Sequence, residues 1–447
     1  MYSLVFKNFI RSKSVIAALV LFLLAGITSI YIGKQFLKKQ QAAVNAVTHQ
    51  QNEHIKKNTA YIPEDFGLLM YYLKFAYINQ PAPIAALSIG QQDVNNSIQS
   101  LTIRGLEGQR YDTDLYNPYN LLMGNFDMSF LIIFLLPLLI IAFNFNVLSQ
   151  EKEAGTWPLV SVQAAKPLNF IFQIMSIRFF TIVALLFVLL TAAKFIVGIP
   201  VNSAFIRYSV ISLLYILFWF AVSFLIISFK KNTSVNALAL LSSWVLFCLL
   251  IPAVINNYIS SRYTVPEAYS TMVKQRDGYH TKWDKNKDST MQAFFAYYPE
   301  YKNYVWERPG FNYLWYYAMQ QLGDNEAAPE SKAMQQKLLQ RQHASTRAGL
   351  FFPSVHTQLQ LTSIAGTSLQ HHLQYMDGTT TFHESVKKYF YGKIFSGEKV
   401  GNENWEQHVP QYFKPATSFL WPTAFLPLLI PIILLFAAGL YIFKKSE

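Results

Sequence analysis

The residues best suited to chemistry in this chain are Glu151-Lys152-Glu153-Ala154-Gly155-Thr156-Trp157-Pro158, two carboxylates and a glycine-threonine turn directly after an apolar run. Gly155 relaxes the chain, Thr156 is a favourable N-cap, and Pro158 fits a first helical turn, where a missing N–H costs little. Leu159, Val160, Val162 and Gln163 continue that turn until Pro167 interrupts it, so the spacing predicts a short helix over 156–166. Carboxylates at Glu151 and Glu153 suit the positive end of such a helix and can pair with cations on a docking partner. The chemistry on offer is docking. The plain alternative is the polar turn that any loop between apolar segments needs.

The remaining reactive side chains form no site by spacing. All nine histidines, His49, His54, His280, His343, His356, His371, His372, His383 and His408, fall outside the apolar runs. Imidazole binds copper and zinc. Here, however, His371 and His372 point to different faces of a helix and His383-Glu384 has no second histidine at ligand spacing, so no metal site is expected. Cys248 is the single cysteine, which excludes a disulfide framework and a thiolate metal site built from this chain alone. No Ser or Cys sits in a nucleophile elbow and no G-x-x-x-x-G-K-[ST] loop is present. The chain is expected to be no enzyme, to hold no cofactor, and to take its energy from a partner.

The elements that must position the loop are membrane spans. The chain is 52% hydrophobic and only 14% charged, against about 25% charged for soluble domains. A span needs roughly 20 mostly apolar residues, because backbone groups in hydrocarbon can only satisfy one another. Six stretches qualify: Ser14 to Gly33, Phe130 to Leu148, Ile174 to Val197, Ile206 to Phe229, Ser234 to Ile255 and Ser418 to Phe443. Lys7, Arg11 and Lys13, then Lys152 and Lys166, Lys230 and Lys231, and Lys444 and Lys445 all fall on one side of this six-span order, which makes both termini cytoplasmic. The long segments 34–126 and 256–417 then lie outside. No Asp or Glu falls inside these six runs, which argues against an ion-coupled carrier. The net charge of +12 is spread over both sides and includes no basic run with interleaved aromatics, so nucleic acid is not an expected partner. Ser29-Ile30-Tyr31-Ile32-Gly33 lacks a small-x-small cleavage pattern, so the first span is expected to stay as an anchor.

Glu151, Glu153, Gly155 and Thr156, placed after a span containing Pro137, resemble the signature of ABC-2-type transporter permeases. Two further sets of residues strengthen this: Pro81-Ala82-Pro83-Ile84-Ala85-Ala86-Leu87-Ser88-Ile89-Gly90, and Phe352-Pro353 with Ile364-Ala365-Gly366-Thr367-Ser368 and His371. They resemble a bacterial subfamily with large extracytoplasmic insertions of unknown function, related to the copper-enzyme maturation permeases. The resemblance implies an all-α polytopic fold like that of type V exporters, with helix 156–166 as the coupling helix and Glu151, Glu153, Gly155, Thr156, Trp157, Pro158 and Leu159 contacting an ABC ATPase. ATP and Mg would be held by that ATPase subunit. A second permease protomer, identical or paralogous, is implied, in the bacterial inner membrane, with the inserted domain in the periplasm.

Within the insertions, Tyr31 to Lys57 reads as a helix continuing from the first span until Pro63 ends it. Leu68 to Ile78 reads as a second helix, Ser97 to Ile103 as a short strand, Glu330 to Leu350 as a helix following Pro329, and His356 to Met376 as a further helix. The aromatic stretch Phe294 to Phe311 is open between core, membrane-interface belt and partner surface. Pro137, Pro427 and Pro431 are expected to kink their spans, and Arg178 and Lys194 to snorkel from the ends of the third. The function expected is export of an amphiphilic substrate, along a path between protomers near Leu136. The alternatives are a mechanotransmission permease that drives a periplasmic partner without transport, and a membrane assembly scaffold.

Overall fold

The computed structural model describes residues 2–110, 125–158, 167–265, 267–305, 310–415 and 420–445. Among them, six helices are long and apolar enough to cross a membrane: Lys13–Tyr61, Met128–Glu153, Pro167–Val197, Ser203–Ser228, Thr233–Arg262 and Trp421–Lys445. The protein is a multi-pass membrane protein. Each span lies where the apolar runs require it. An additional helix, Tyr2–Arg11, precedes the first span and exposes Tyr2, Phe6 and Ile10, the face expected of a helix lying at a membrane interface.

The fourth span forms the centre of the bundle. Its aromatic side chains Tyr208, Tyr215, Phe218, Trp219 and Phe224 are fully or almost fully buried among the second, third and sixth spans. The fifth span is the opposite, exposing Val235, Leu238, Leu246, Leu249 and Val254 along its length. The first span packs on the third through glycine: a Cβ on Gly26 would strike the Leu189 side chain. Leu136 is buried inside the bundle and lines no outer surface. The third span begins at Pro167, so Arg178 lies in its interior and cannot snorkel; its guanidinium donates to the Phe143 carbonyl and stacks over Phe9.

The first span does not stop at the membrane. It continues as one 49-residue helix to Tyr61, with Ile62 as its C-cap directly before Pro63. At 1.5 Å per residue it is roughly 74 Å long, more than twice the hydrocarbon thickness. Its far half, with the described parts of the two inserted segments, builds a head domain. Leu68 to Ile78 is not one helix: Phe66–Tyr72 is helical and β1 (Phe75–Ile78) is extended, because it is the middle strand of a sheet. β2 (Ile98–Leu101) pairs antiparallel to it and β3 (Gln411–Tyr412) parallel, in the order β2-β1-β3. The sheet therefore joins the two inserted segments.

Pro329 does not begin a helix but lies inside one, Tyr313–Gly349, capped at its start by Asn312 accepting from Leu314 N at 2.8 Å. Burial of Leu314 to Leu322 in the head core outweighs the cost of an internal proline. The expected helix over His356 to Met376 is two helices, Pro353–Ala365 and Leu369–Phe395, divided at Gly366, whose φ of +72° is a left-handed C-terminal cap. Phe294, Tyr298 and Tyr301 belong to the head core, packed with Tyr317, Tyr391 and Phe395.

Buried polar groups tie the head together. Asp324, on the long helix, accepts from Leu106 N (2.6 Å) and Glu107 N (3.2 Å), and Gln320 Oε1 from Gly105 N (3.1 Å). Burial raises the Asp324 carboxyl to about 6 against the pull of Lys387 and these N–H donors. His383, donating from Nε2 to Thr102 O (3.0 Å), is pushed down to about 3 by burial, and His372 to about 4 for the same reason.

Two predictions follow from this packing. A histidine with a depressed folded pKa stays neutral while the unfolded chain takes a proton, so its contribution is full above about 6.5 and is lost as pH falls below that value. Asp324, with a raised pKa, works in the opposite sense between about 6 and its ordinary 3.8. His383→Gln should therefore flatten the fall in melting temperature between pH 7 and 5, and Asp324→Asn should steepen it, as read by thermal unfolding of the detergent-solubilised chain. In the second case, Gly33 faces the Ala86 carbonyl with no room for a Cβ. Gly33→Ala should lower stability by about 1–3 kcal/mol, whereas Gly155→Ala, in open space, should cost only the strain of its φ of +71°.

Candidate functional site

The loop after the second span is built from its own hydrogen bonds. Thr156 donates from its backbone N–H to Glu151 O (3.0 Å) and from its hydroxyl to the Glu151 carboxylate. This closes a tight turn whose corner is Gly155, where the surrounding space is open and the positive φ is what calls for glycine. Glu153 Oε1 accepts from Thr233 N at 2.8 Å, at the N-terminus of the fifth span. Thr233 Oγ1 donates to Ser149 Oγ (2.7 Å), and Lys152 Nζ to Lys230 O (3.2 Å). Trp157 and Pro158 open a helix, with Trp157 half-buried against the bundle. Leu159 and the rest of 159–166 lie outside the described residues.

The expected carboxylates are therefore brought together in one loop, but each has an internal partner. Glu153 favours the positive end of the fifth span, a role for which its neighbours in sequence carry no sign. The result is a clamp between the loop joining spans two and three and the loop joining spans four and five. Lys230, the only described non-glycine residue with positive φ, forms the turn on the far side, and its ammonium lies 4.2 Å from the Phe443 ring near the end of the sixth span. Phe9 of the N-terminal helix meets Phe143 edge-on at 5.2 Å. Lys152 and Lys230, from two of the basic loops at the span ends, thus meet at one end of the bundle.

The opposite end holds a second constellation that sequence reasoning missed. Pro137 supplies no N–H to the Ile133 carbonyl four residues earlier, and the backbone before it widens into a π-turn over Leu131–Leu135. Ile133 O instead accepts from Tyr215 Oη (3.1 Å) and Cys248 Sγ (3.6 Å), while Trp244 Nε1 donates to Phe134 O (3.0 Å). The fifth span repeats the device, with a π-turn over Val245–Leu250 ahead of Pro252. Tyr215 Oη also lies 3.2 Å from Ser354 Oγ, and with its own proton on Ile133 O it accepts from the serine hydroxyl. Ser354 stands at the start of Pro353–Ala365, a head helix wedged into the bundle mouth, with Ser354, His356, Thr357 and Leu361 buried. His356 Nε2 lies 2.8 Å from Ala424 O of the sixth span. A cavity of about 180 Å3 opens between the wedge, the second span and the fifth, lined by Ile133, Phe134, Cys248, Pro252 and Ser354. The available signal was the pair of span prolines, of which only Pro137 stood out. Pro427 and Pro431 lie inside a sixth span that continues past both to Lys445.

The two motif segments meet at this mouth. Thr367 Oγ1 donates to Ser88 O (2.8 Å), Asp127 accepts from Ile89 N (2.8 Å), and Leu87 O accepts from both Tyr208 Oη (3.0 Å) and Ser129 Oγ (3.1 Å). Among the described residues no three His, Cys, Asp or Glu side chains converge on one point. The histidines are used singly, as with His371 against Asn79 and His408 against Glu403.

A family model described as a domain of unknown function (DUF3526) matches residues 269–414, which covers the wedge and most of the second inserted segment. No curated protein and no solved structure matches the chain.

Coupling between wedge and bundle is measurable. Tyr215→Phe and Ser354→Ala should each cost about 1 kcal/mol, and a double-mutant cycle on thermal unfolding should return a coupling of about 0.5–2 kcal/mol. Strict additivity would mean that the wedge rests on packing alone.

Proposed function

We propose that this chain is the membrane-spanning permease subunit of an ATP-driven ABC-2-type transporter, moving an amphiphilic substrate while a separate ATPase subunit hydrolyses ATP. The observation that carries the reading is the clamp at the end of the bundle where Lys152 and Lys230 meet. Through Glu153–Thr233, Ser149–Thr233 and Lys152–Lys230, a push on the loop after the second span is delivered to the fourth and fifth spans as well. By the positive-inside rule that end is cytoplasmic, with both termini there and the head in the periplasm of a bacterial inner membrane. The long exposed face of the fifth span supports a second protomer in the bilayer. A small cavity with apolar walls and a few hydroxyl groups at the opposite mouth suits an amphiphile better than an ion.

The wedge favours a second reading, mechanotransmission to a periplasmic partner. A head helix hydrogen-bonded to a span proline site would carry bundle motion outward with nothing transported.

The test is purification of the tagged chain from native membranes in mild detergent, with ATP hydrolysis measured on whatever P-loop protein accompanies it. Glu153→Arg should release that ATPase or depress its activity. Glu153→Gln, which can still accept from Thr233 N, should have the smaller effect. An ATPase that stays bound and fully active in Glu153→Arg would remove the loop from the coupling path.

A further inference from the structure

We infer that the head binds an extended, acidic peptide segment of a partner protein along the open edge of β2. The site is independent of the ATPase reading, because it rests on the head alone.

The first observation is backbone geometry. Asn79 N donates to Ser97 O at 2.8 Å, which makes Asn79 and Ser97 a hydrogen-bonded pair in the antiparallel ladder. Such pairs alternate, and the register Tyr77↔Gln99 and Phe75↔Leu101 makes those the next bonded pairs. Ile98 and Ser100 therefore turn their N–H and C=O groups away from β1. No described strand lies on that side, since the sheet order ends at β2. The outward series is capped at both ends: Thr102 N by Gln109 Oε1 at 2.9 Å, and Ile98 N more loosely by Asn96 Oδ1 at 3.4 Å. Between these caps, Ser100 offers an exposed donor and acceptor to an incoming strand. Ser100, with the outward carbonyl of Ile98, registers a peptide, and side-chain contacts in the walls supply selectivity.

The second observation is the space beside that edge. A groove of about 930 Å3 runs along Ser97 to Ser100, between the membrane-distal half of the first helix and the helix Glu267–Thr281. It is long enough for several extended residues at about 3.3 Å each.

The third observation is charge. Lys39 stands on one wall and Arg276 on the other, with Lys74 and Arg104 along the groove. Arg104 is held in place by its stacking over Tyr71 at 4.5 Å and its bond to Thr102 Oγ1. Among the described residues, the one carboxylate lining the groove, Asp93, already accepts from Asn125 at 2.8 Å. Four cations around an exposed strand edge favour acidic side chains at alternate peptide positions, the spacing at which a strand presents one face. An anionic glycan would satisfy the charges but leave the strand edge unused.

The test uses the full chain in detergent and fluorescence anisotropy with three labelled octapeptide mixtures, in which every second residue is Glu, Lys or Gln and the others are degenerate. The Glu mixture should bind at least about tenfold more tightly than the Lys mixture, a difference of about 1.4 kcal/mol. N-methylation of alternate backbone amides in the Glu mixture should abolish that advantage, a result that needs no protein variant. Ser100→Pro removes the edge N–H at a position where an edge strand tolerates proline, so it should weaken peptide binding about tenfold with melting unchanged. Arg276→Glu, which leaves Lys39, Lys74 and Arg104 in the groove, should narrow the preference for the Glu mixture. Equal binding of the Glu and Lys mixtures, or full binding after N-methylation, would overturn the proposal. So would hexagalacturonate binding that Ser100→Pro leaves intact, which would assign the groove to an anionic glycan.

Discussion

A proline without an N–H leaves the Ile133 carbonyl short of its helical donor at the mouth of a membrane bundle, and the junction of bundle and head is arranged around that carbonyl. A buried carbonyl needs a donor, and here side chains supply it. Tyr215 of the fourth span and Cys248 of the fifth both reach it. Tyr215 can do so only because the fourth span is central and its large aromatic residues are held rigidly by burial. Its hydroxyl then serves Ser354 as well, and the wedge helix acquires a polar foothold where an apolar segment would have sufficed for packing alone. The fixed point of the head on the bundle is thus a backbone defect that three spans and a soluble helix share.

The same logic, polar groups buried only in company, organises the head. Segments more than 200 residues apart in sequence meet at Asp324, which collects the N–H groups of Leu106 and Glu107. β1 and β2 come from the first inserted segment and β3 from the second. Neither insertion has a core that closes by itself: Ile55, Phe66 and Phe75 are covered by Phe294, Tyr317 and Phe390. The head is therefore one folding unit interrupted by four spans, and its assembly has to wait for the bundle to bring its halves together.

How much of this was legible in the sequence depended on how local the deciding force was. The spans were legible because hydrocarbon imposes a length and a composition that nothing else in the chain imitates. The continuation of the first span through Tyr31 to Lys57 was legible from the absence of proline, and the helix runs four residues further, to Tyr61. Leu68 to Ile78 was misread because its apolar residues suit either period, and the choice of strand at Phe75 is made by partners at Leu101 and Gln411. Pro329 was misread as a boundary because the burial that overrides it belongs to residues 7 to 15 positions earlier. Arg178 was placed too near the surface because a polar stretch, Gln163 to Asn169, hid the true start of the third span. At the candidate site, Glu151, Gly155 and Thr156 declare their turn locally, but Glu153's partner is 80 residues away and the partner of the Ile133 carbonyl is 82. No periodicity encodes such meetings.

The 49-residue first helix has no proline and no break between the membrane and the head. A rigid rod of roughly 74 Å pivoting near its inner end would carry its outer tip about 6 Å for a tilt of about 5°. Displacements at the depth of Gly33, nearer the pivot, would be less than half as large. The molecule thus contains a lever whose gear ratio is set by residue count alone. Shortening the rod by whole turns, about 3.6 residues at a time, would lower that ratio in steps while keeping each face of the helix against the neighbours it now has.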